Sequence, residues 1–329
     1  MLLDRYDSIL SDLDGVVYAG PFAIDGAPEA LNRAQEMGVP VAFVTNNASR
    51  SVETVAEHLR ELGVKTDADH VVSSAQAAAE LLTTHAEPGA KVLVCGAQAL
   101  ADCVSAAGFV PVYSQEDEPA AVAQGFNPRL VWEDLAEAAY TLADENVVWV
   151  ASNTDFTIPK ERGIAPGNGT LVAAVATATG RKPLVAGKPE SAIFETGAKQ
   201  INSERPLVVG DRLDTDIQGG NRAGMATACV MTGVETYQSI TAAITMERPT
   251  YIVETLDQFF EDYPEISVAK DGADTVATGA GWTARVTSRK ITLSGSGTEV
   301  DSWRVVTQAW WAAFPETDLP QVPEEIVYE

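Results

Sequence analysis

A stretch near the N-terminus, Ser8-Ile9-Leu10-Ser11-Asp12-Leu13-Asp14-Gly15, runs from apolar residues into two aspartates and a glycine. Such a run predicts a buried strand that carries two carboxylates at its C-terminal end, where a glycine lets the chain turn. Open α/β sheets bind their ligands at the carboxyl ends of strands. Two carboxylates this close repel each other unless a cation or a shared proton relieves them. Taken alone, the stretch is explained equally well by an ordinary turn, in which Asp and Gly are common.

The residues that follow alternate between helical and strand patterns. A helix over 27–37 has Pro28 near its start and Gly38 just past its end, and an apolar strand over 39–44 comes next. Apolar residues at helical spacing then continue to Gly63. Strands and helices that alternate with short loops are typical of an α/β fold with a doubly wound parallel sheet.

The pattern of predicted helices and strands indicates an inserted domain and a C-terminal tail. Residues 75–182 contain their own cycle of helices and strands and predict an inserted α/β domain, after which the first pattern resumes. The tail predicts a β-hairpin over 282–287 and 290–294 and a helix over 300–314. The predicted domains are therefore a core in two parts, an inserted domain and a small C-terminal extension, over residues 1–74 with 183–262, 75–182 and 263–329, respectively.

The charge and cysteine content narrow the function classes. The 329 residues include 22 Lys and Arg against 47 Asp and Glu, a net charge of -25, which argues against nucleic acid or an anionic membrane as partner. An anionic substrate would be repelled by this negative charge unless a local positive charge, such as a divalent metal, bound it. Cys95, Cys103 and Cys229 lack metal-ligand spacing and predict core packing in a reduced compartment. With no signal peptide or membrane span in the sequence, we expect a cytoplasmic protein.

Several common catalytic arrangements are not supported. None of His58, His70 and His85 stands beside a plausible nucleophile, so a Ser-His-Asp or Cys-His mechanism is not indicated. Gly187-Lys188-Pro189 lacks the spacing and the Ser or Thr of a nucleotide-binding P-loop. No Gly-x-Gly-x-x-Gly follows the first strand, as a dinucleotide-binding fold would require.

Four polar clusters remain, each at the end of an apolar strand or the start of a helix. Each has an ordinary structural explanation as a turn, a helix cap, a loop lysine or an acidic helix start. Their joint occurrence in this order is much less expected by chance. The clusters are Asp12 with Asp14, Thr45 with Asn46, Lys188, and Asp211 with Asp214 and Asp216.

These clusters resemble the four motifs of the haloacid dehalogenase superfamily of phosphatases over about residues 5–260. The first motif has Val17 where many relatives have Thr. The inserted domain resembles the large α/β cap of the nitrophenylphosphatase and phosphoglycolate phosphatase branch. The residues that carry the resemblance are Asp12-Leu13-Asp14-Gly15-Val16-Val17, Thr45-Asn46-Asn47, Gly187-Lys188-Pro189 and Gly210-Asp211-Arg212-Leu213-Asp214-Thr215-Asp216, and in the cap Asn153, Asp155, Pro159 and Gly167-Asn168-Gly169.

The tail is similar to the extension of actinobacterial glycerol 3-phosphate phosphatases, which resembles a fragment of an acetyltransferase fold. The tail of this chain has no glycine-rich loop for coenzyme A, so we do not expect acyl transfer. We expect a structural role or a subunit contact.

The resemblance implies Mg²⁺ as cofactor and an aspartyl-phosphate intermediate. It implies Asp12 as nucleophile and Asp14 as general acid and base, with Lys188 stabilising the phosphoryl oxygens. The metal ligands that it implies are the Asp12 carboxylate, the Asp14 backbone carbonyl and Asp211, with Asp216 orienting a metal-bound water. The candidates for binding substrate or phosphate are Thr45, Asn46, Asn47, Arg50, Asn153, Asp155 and Arg212.

The expected reaction is hydrolysis of a small phosphate monoester, with glycerol 3-phosphate favoured by the tail. A phosphatase for phosphoglycolate or a sugar phosphate, a phosphomutase and a non-enzymatic phospho-ligand-binding module are the alternatives. The partner that we expect is a small phosphorylated metabolite, and neither nucleic acid nor membrane. A homodimer is compatible with the resemblance, since caps in this branch often pair.

Overall fold

The computed structural model describes residues 1–160 and 162–329. Within them the chain forms two units, one of Met1–Val41 with Glu204–Glu329 and the other of Ala42–Ser203. No helix of the described residues is long and apolar enough to cross a membrane. Pro159, part of the predicted cap motif, has its side chain outside the described part of the chain.

In the first unit, parallel strands form a layer that places the first and fourth motifs side by side. Strand Ser8–Ser11 pairs with Pro206–Gly210, which pairs with Ala226–Val230. Tyr251–Val253 follows at the edge. The first two strands are buried along their whole length, as strands covered on both faces are. The helices of this unit are Ala27–Glu36, Gln218–Arg222, Tyr237–Ala242 and Glu299–Ala313, and a short hairpin joins Tyr18–Ala19 and Phe22–Ala23.

The tail forms a sheet of five strands, larger than the predicted hairpin. The predicted pair is present as Trp282–Thr287 and Lys290–Gly295, and the helix Glu299–Ala313, here called the terminal helix, follows it. Ser267–Asp271 and Asp274–Gly279 extend the sheet on one side in antiparallel order, and Glu325–Tyr328 pairs in parallel on the other.

The terminal helix shares one hydrophobic core with the tail sheet and with the segment after the Pro206–Gly210 strand. Trp303 and Trp310 of this helix belong to the same buried cluster as Ile291 of the sheet and Leu213 and Ile217 of that segment. The extension is therefore continuous in its packing with residues of the fourth motif.

The second unit contains the predicted inserted domain. Strands Val41–Thr45 and Val71–Ser73 are parallel, with Thr45 opposite Ser73. A separate parallel sheet has the strand order Leu184–Val185, Val148–Ala151, Ala121–Gln124, Lys91–Cys95 and Val110–Val112. The helices are Val52–Glu61, Ser74–Thr83, Gln98–Ala106, Trp132–Thr141, Asn168–Thr179 and Ala192–Gln200, and a hairpin joins Thr157–Lys160 and Gly163–Pro166.

Parallel sheets with alternating helices confirm the predicted α/β class. Leu184–Val185 belongs to the five-stranded sheet of the second unit, so the predicted boundary after residue 182 falls just before a strand of that sheet. The three predicted domain boundaries stay predictions.

Candidate active site

Three carboxylates converge at the ends of two neighbouring strands of the first unit. Asp12, Asp211 and Asp216 each offer an oxygen within 4.8 Å of the others. Asp12 and Asp211 directly follow the strands Ser8–Ser11 and Pro206–Gly210, and the Asp12 backbone N–H donates to the carbonyl of Val209 at 2.8 Å. Parallel pairing of the two strands therefore brings these side chains together.

The direction of the Asp211 carboxylate is fixed by backbone groups around it. The backbone N–H of Val234 donates to Asp211 Oδ2 at 3.0 Å. A Cβ atom on Gly15 would lie 2.2 Å from that oxygen, and one on Gly233 would lie 2.0 Å from it. Because real Cβ atoms do not approach an oxygen so closely, only glycine leaves room for the carboxylate at these two positions. Gly15 also has a left-handed φ of +78°, which glycine adopts without strain.

Asp216 reaches the cluster from a single π-helical turn, Leu213–Ile217, a feature that often marks functional sites. Its Oδ2 accepts hydrogen bonds from the Arg212 backbone N–H at 3.3 Å and from the Thr215 hydroxyl at 3.4 Å. A Cβ atom on Gly210 would lie 2.1 Å from the Cβ of Asp216. The position of the buried Asp216 is thus fixed by hydrogen bonds and by its close packing on Gly210.

Asp14 and Asp214 lie outside the group of three carboxylates. Asp14 is exposed at the turn where the Gly15 backbone N–H donates to the carbonyl of Tyr18 at 2.8 Å. Asp214 accepts two hydrogen bonds from the guanidinium of Arg212, at 3.0 and 2.8 Å. This hydrogen bonding is the main cause of a raised pKa of Arg212. The predicted substrate contact of Arg212 stays a prediction.

The second unit brings four of the predicted residues together through Asn46. The Asn46 side-chain amide donates to both oxygens of Asp155, at 3.3 and 3.2 Å, and to the Lys188 carbonyl at 3.1 Å. Its side-chain oxygen accepts the Lys188 backbone N–H at 2.8 Å. The amide of Asn153 donates to the Asn46 carbonyl at 2.8 Å, and the amide of Asn168 donates to the Asn153 carbonyl at 2.7 Å. Asn46 therefore fixes the backbone at Lys188 with two hydrogen bonds.

Lys188 is 4% exposed. Burial of an ammonium group is costly unless polar or anionic groups surround it. A buried lysine whose backbone is hydrogen-bonded to Asn46, which also binds Asp155, is therefore a candidate for a functional site.

The loop after Thr45 contains the remaining predicted residues. Thr45 Oγ1 accepts the backbone N–H of Asn47 at 3.1 Å. The Asn47 side-chain oxygen accepts both the backbone N–H and the hydroxyl of Ser49 at 2.8 Å, so this side chain shapes the loop. Arg50 is exposed at its end.

The loop of residues 231–236 is a part of the site that the sequence did not predict. It follows the strand Ala226–Val230 and supplies Gly233 and Val234 to Asp211. The hydroxyl of Thr232 also donates to the carbonyl of Gly15 at 2.7 Å. A loop with two threonines, a glycine and a glutamate after another parallel strand was the available signal, since strand ends are where such sheets carry their sites.

The donor set fits a hard divalent cation. Mg²⁺ takes carboxylate and carbonyl oxygens together with water, and three converging carboxylates need such a charge to relieve their repulsion. The close approach of Gly15 and Gly233 to Asp211 keeps that carboxylate turned in a single direction.

Comparison with known proteins gives the family. Two family models match, a haloacid dehalogenase-like hydrolase over residues 9–110 and a second hydrolase of this kind over residues 185–259. The chain is 41% identical to D-glycerol 3-phosphate phosphatase of Mycobacterium tuberculosis, over 99% of this chain and 91% of the relative.

Solved structures agree with this assignment. Glycerol phosphate phosphatase of M. tuberculosis in complex with magnesium superimposes with a TM-score of 0.85 at 39% identity, over 99% of this chain and 94% of that one. The p-nitrophenyl phosphatase of Archaeoglobus fulgidus gives a TM-score of 0.71 at 28% identity, over 78% and 99% of the two chains. The predicted family is confirmed, and the chain belongs to the haloacid dehalogenase-like hydrolases.

Proposed function

We propose that this chain is a Mg²⁺-dependent phosphatase that hydrolyses a small phosphate monoester through an aspartyl-phosphate on Asp12. The observation that carries the proposal is the convergence of Asp12, Asp211 and Asp216 within 4.8 Å of one another. The names of the relatives support it, since one is a D-glycerol 3-phosphate phosphatase and its structure was solved with magnesium.

The metal would be held by the Asp12 carboxylate, the Asp14 backbone carbonyl and Asp211, with Asp216 orienting a water. When bound, Mg²⁺ supplies the positive charge that lets a carboxylate approach a phosphate dianion. Asp211 is suited to this role because its direction is fixed by Val234 before any metal binds.

Asp12 and Asp14 divide the chemistry between them. A carboxylate oxygen of Asp12 attacks phosphorus in line, and the bond from phosphorus to the substrate oxygen breaks. Asp14 donates a proton to this oxygen, which departs as an alcohol. Asp14 then takes a proton from water as the water attacks the same phosphorus, and the bond from phosphorus to Asp12 breaks. Inorganic phosphate leaves, and both aspartates return to their starting states.

The family resemblance assigns three further residues to the phosphoryl group in this proposal. Lys188 balances the charge on its oxygens, and Thr45 and the Asn46 backbone donate hydrogen bonds to them. Asn153 and Asp155 act by holding Asn46, since both are hydrogen-bonded to it. Arg50, Asn47 and Arg212 are the remaining candidates for contacts with the substrate.

Glycerol 3-phosphate is the substrate that we propose. The support is the relative of that specificity, whose similarity covers 99% of this chain and so includes the C-terminal extension. Phosphoglycolate and sugar phosphates are the competing substrates.

A panel of phosphate esters tests the proposal. Purified protein is assayed for phosphate release from the two enantiomers of glycerol 3-phosphate, phosphoglycolate and several sugar phosphates, with Mg²⁺ and with EDTA. We expect the highest kcat/KM for one glycerol 3-phosphate enantiomer, loss of turnover with EDTA, and no turnover by Asp12→Asn. Preference for another ester would replace the substrate, whereas full activity of Asp12→Asn would refute the mechanism. Isomerised sugar phosphate in place of free phosphate would indicate a phosphomutase.

The cellular location and the oligomeric state of the enzyme are part of the same proposal. We propose a cytoplasmic location and pairing of two copies, supported by the cysteines, which are unpaired thiols in the structure, and by the family resemblance. Cell fractionation and light scattering of the purified protein test these two points.

A further inference from the structure

The C-terminal extension contacts the candidate site through a pair of stacked aromatic rings. Trp303, 5% exposed on the terminal helix, lies parallel to the ring of Tyr237, with ring centroids 5.4 Å apart and an angle of 9° between the planes. Tyr237 is the first residue of the helix Tyr237–Ala242. The 231–236 loop ends directly before this residue, so the stack fixes the end of the loop.

Two successive residues of the same loop, Val234 and Glu235, form hydrogen bonds with the segments that carry Asp211 and Asp216. The Val234 backbone N–H donates to Asp211 Oδ2 at 3.0 Å. The Glu235 carboxylate accepts the backbone N–H of Leu213 at 3.1 Å, at the start of the π-helical turn that carries Asp216. A shift of this loop would therefore change the placement of both carboxylates.

A second contact leads from the extension to Asp216. Leu213 and Ile217, the first and last residues of the π-helical turn, are buried in the same hydrophobic cluster as Trp303. The apolar side of the turn thus packs with the extension, while its polar side carries Asp216 to the cluster of carboxylates.

We propose that the C-terminal extension positions the metal-binding carboxylates, with Trp303 and Tyr237 as positioning residues. They act through the 231–236 loop and the π-helical turn, which orient Asp211 and Asp216. The proposal rests on the metal site of the proposed function and gives the extension a role beyond fold stability.

Measuring metal affinity distinguishes a positioning role of the extension from a purely stabilising one. Groups that orient metal ligands typically change metal affinity by about 10- to 100-fold when they are removed. Since Trp303 acts one contact further out, we expect Trp303→Ala to weaken binding by about 10-fold, the lower end of that range. Trp303→Phe, which keeps an aromatic ring for the stack, should restore most of the affinity. A purely stabilising extension would leave the affinity of the folded protein unchanged.

The matched control is Trp310→Ala. Trp310 lies on the same helix, is fully buried and belongs to the same hydrophobic cluster as Trp303. Its ring packs on Phe314 and its indole N–H donates to the carbonyl of Gln321. Its loss keeps the stack of Trp303 on Tyr237, so it should lower the melting temperature and change metal affinity much less than the loss of Trp303. Tyr237→Ala removes the other ring of the stack at a half-buried position, and it carries the test if Trp303→Ala does not fold.

The experiment is calorimetric titration of the full-length variants with Mg²⁺ and Ca²⁺, under conditions in which circular dichroism shows each to be folded. Weaker binding by Trp303→Ala or Tyr237→Ala, with rescue by Trp303→Phe and a much smaller change in Trp310→Ala, supports the proposal. Wild-type affinity in both alanine variants of the stack overturns it, as does an equal loss in Trp310→Ala. Asp211→Asn is titrated in parallel. If it keeps full metal affinity, the proposed metal site itself fails, and this result is distinct from a failure of positioning.

Discussion

Gly233 lies so close to the Asp211 carboxylate that a Cβ atom on this glycine would be 2.0 Å from Oδ2. Its backbone is outside the left-handed region, so alanine there adds a side chain without straining the backbone. We expect Gly233→Ala to displace the carboxylate and to lower metal affinity and kcat/KM by at least about 10-fold. The cost to folding should be smaller, about 1–3 kcal/mol, as for other cases of overpacking. Titration with Mg²⁺ and urea unfolding measure the two effects.

The control for this prediction is Val234→Ala. The Val234 side chain is 64% exposed, and its backbone N–H, the group that binds Asp211, is kept in the variant. Unchanged metal affinity in Gly233→Ala would show that the loop can move without affecting Asp211.

Asn46 and Asn47 are neighbours with different predicted responses to the same substitution. Asn46→Asp would place a carboxylate against both oxygens of Asp155, where an amide now donates at 3.3 and 3.2 Å. We expect loss of thermal stability and of phosphatase activity at pH 7. Removing a hydrogen bond to a charged group costs about 1.5–3 kcal/mol, and repulsion between the carboxylates adds to this. Acidification should restore part of the stability, because protonation of one carboxyl removes the repulsion.

Asn47→Asp is the matched control because the Asn47 side-chain oxygen accepts its two hydrogen bonds from Ser49. A carboxylate accepts the same two hydrogen bonds. The melting temperature of Asn47→Asp should therefore stay near that of the wild type between pH 5 and pH 7, the range over which both variants are compared to follow the titration of carboxyl groups. Equal losses in the two variants at pH 7 would contradict the proposed role of Asn46.

The sequence predicts the carboxylates at strand ends better than the parts that orient them. Asp12 and Asp211 follow apolar runs, and parallel strands align their ends, so a sequence pattern is sufficient to place them together. The role of Gly233 depends on the space beside Asp211, which no local pattern records. The same holds for Asn46, whose residue type was predicted but whose hydrogen bonds to Asp155 and Lys188 depend on the folded chain.

The tail sheet shows a second limit of the sequence. Ser267–Asp271 is exposed along its whole length and Glu325–Tyr328 over most of it, so neither has the alternation of a half-buried strand. Asp274–Gly279 alternates, but its buried residues Thr275 and Ala277 are small or polar and give a weak signal. The hairpin between them was predictable because Val286 and Ile291 mark its buried face.

Arg304 attaches the terminal helix to the rest of the first unit. This buried side chain donates to the carbonyl of Ile252 at 2.9 Å, to Gln258 at 2.9 Å and to Asp301 at 2.8 Å. Arg304→Met should lower the free energy of unfolding by about 2–3 kcal/mol, because buried hydrogen-bond partners lose their donor. Urea unfolding followed by circular dichroism measures this change.

Arg285→Met is the comparison for Arg304. Arg285 forms ion pairs with Asp271 and Asp274 on the surface of the tail sheet, where screening by solvent leaves such pairs with little effect on stability. An equal loss of stability in the two variants would show that burial does not distinguish them.

The three thiols should react slowly in the folded protein. Burial raises the pKa of Cys95 to about 12 and that of Cys103 to about 11, and it raises the pKa of Cys229 well above its ordinary value. Because the thiolate is the reactive form, a disulfide reagent at pH 8 should modify the native protein much more slowly than the urea-unfolded protein. Cys103, which is partly exposed, should react first.

The same shifts predict how stability depends on alkaline pH. The folded state keeps the thiol protons above the ordinary pKa of 9.0, whereas the unfolded state releases them. The stabilisation is therefore complete below pH 9.0 and is lost as the pH rises towards the folded values of about 11 and 12. Cys95→Ser and Cys103→Ser should flatten this part of the pH profile, measured by urea unfolding, since serine does not titrate there. If the stability of the serine variants falls as steeply at alkaline pH, the loss belongs to other groups. Thiols that react as fast in the native protein as in the unfolded protein would contradict the raised pKa values directly.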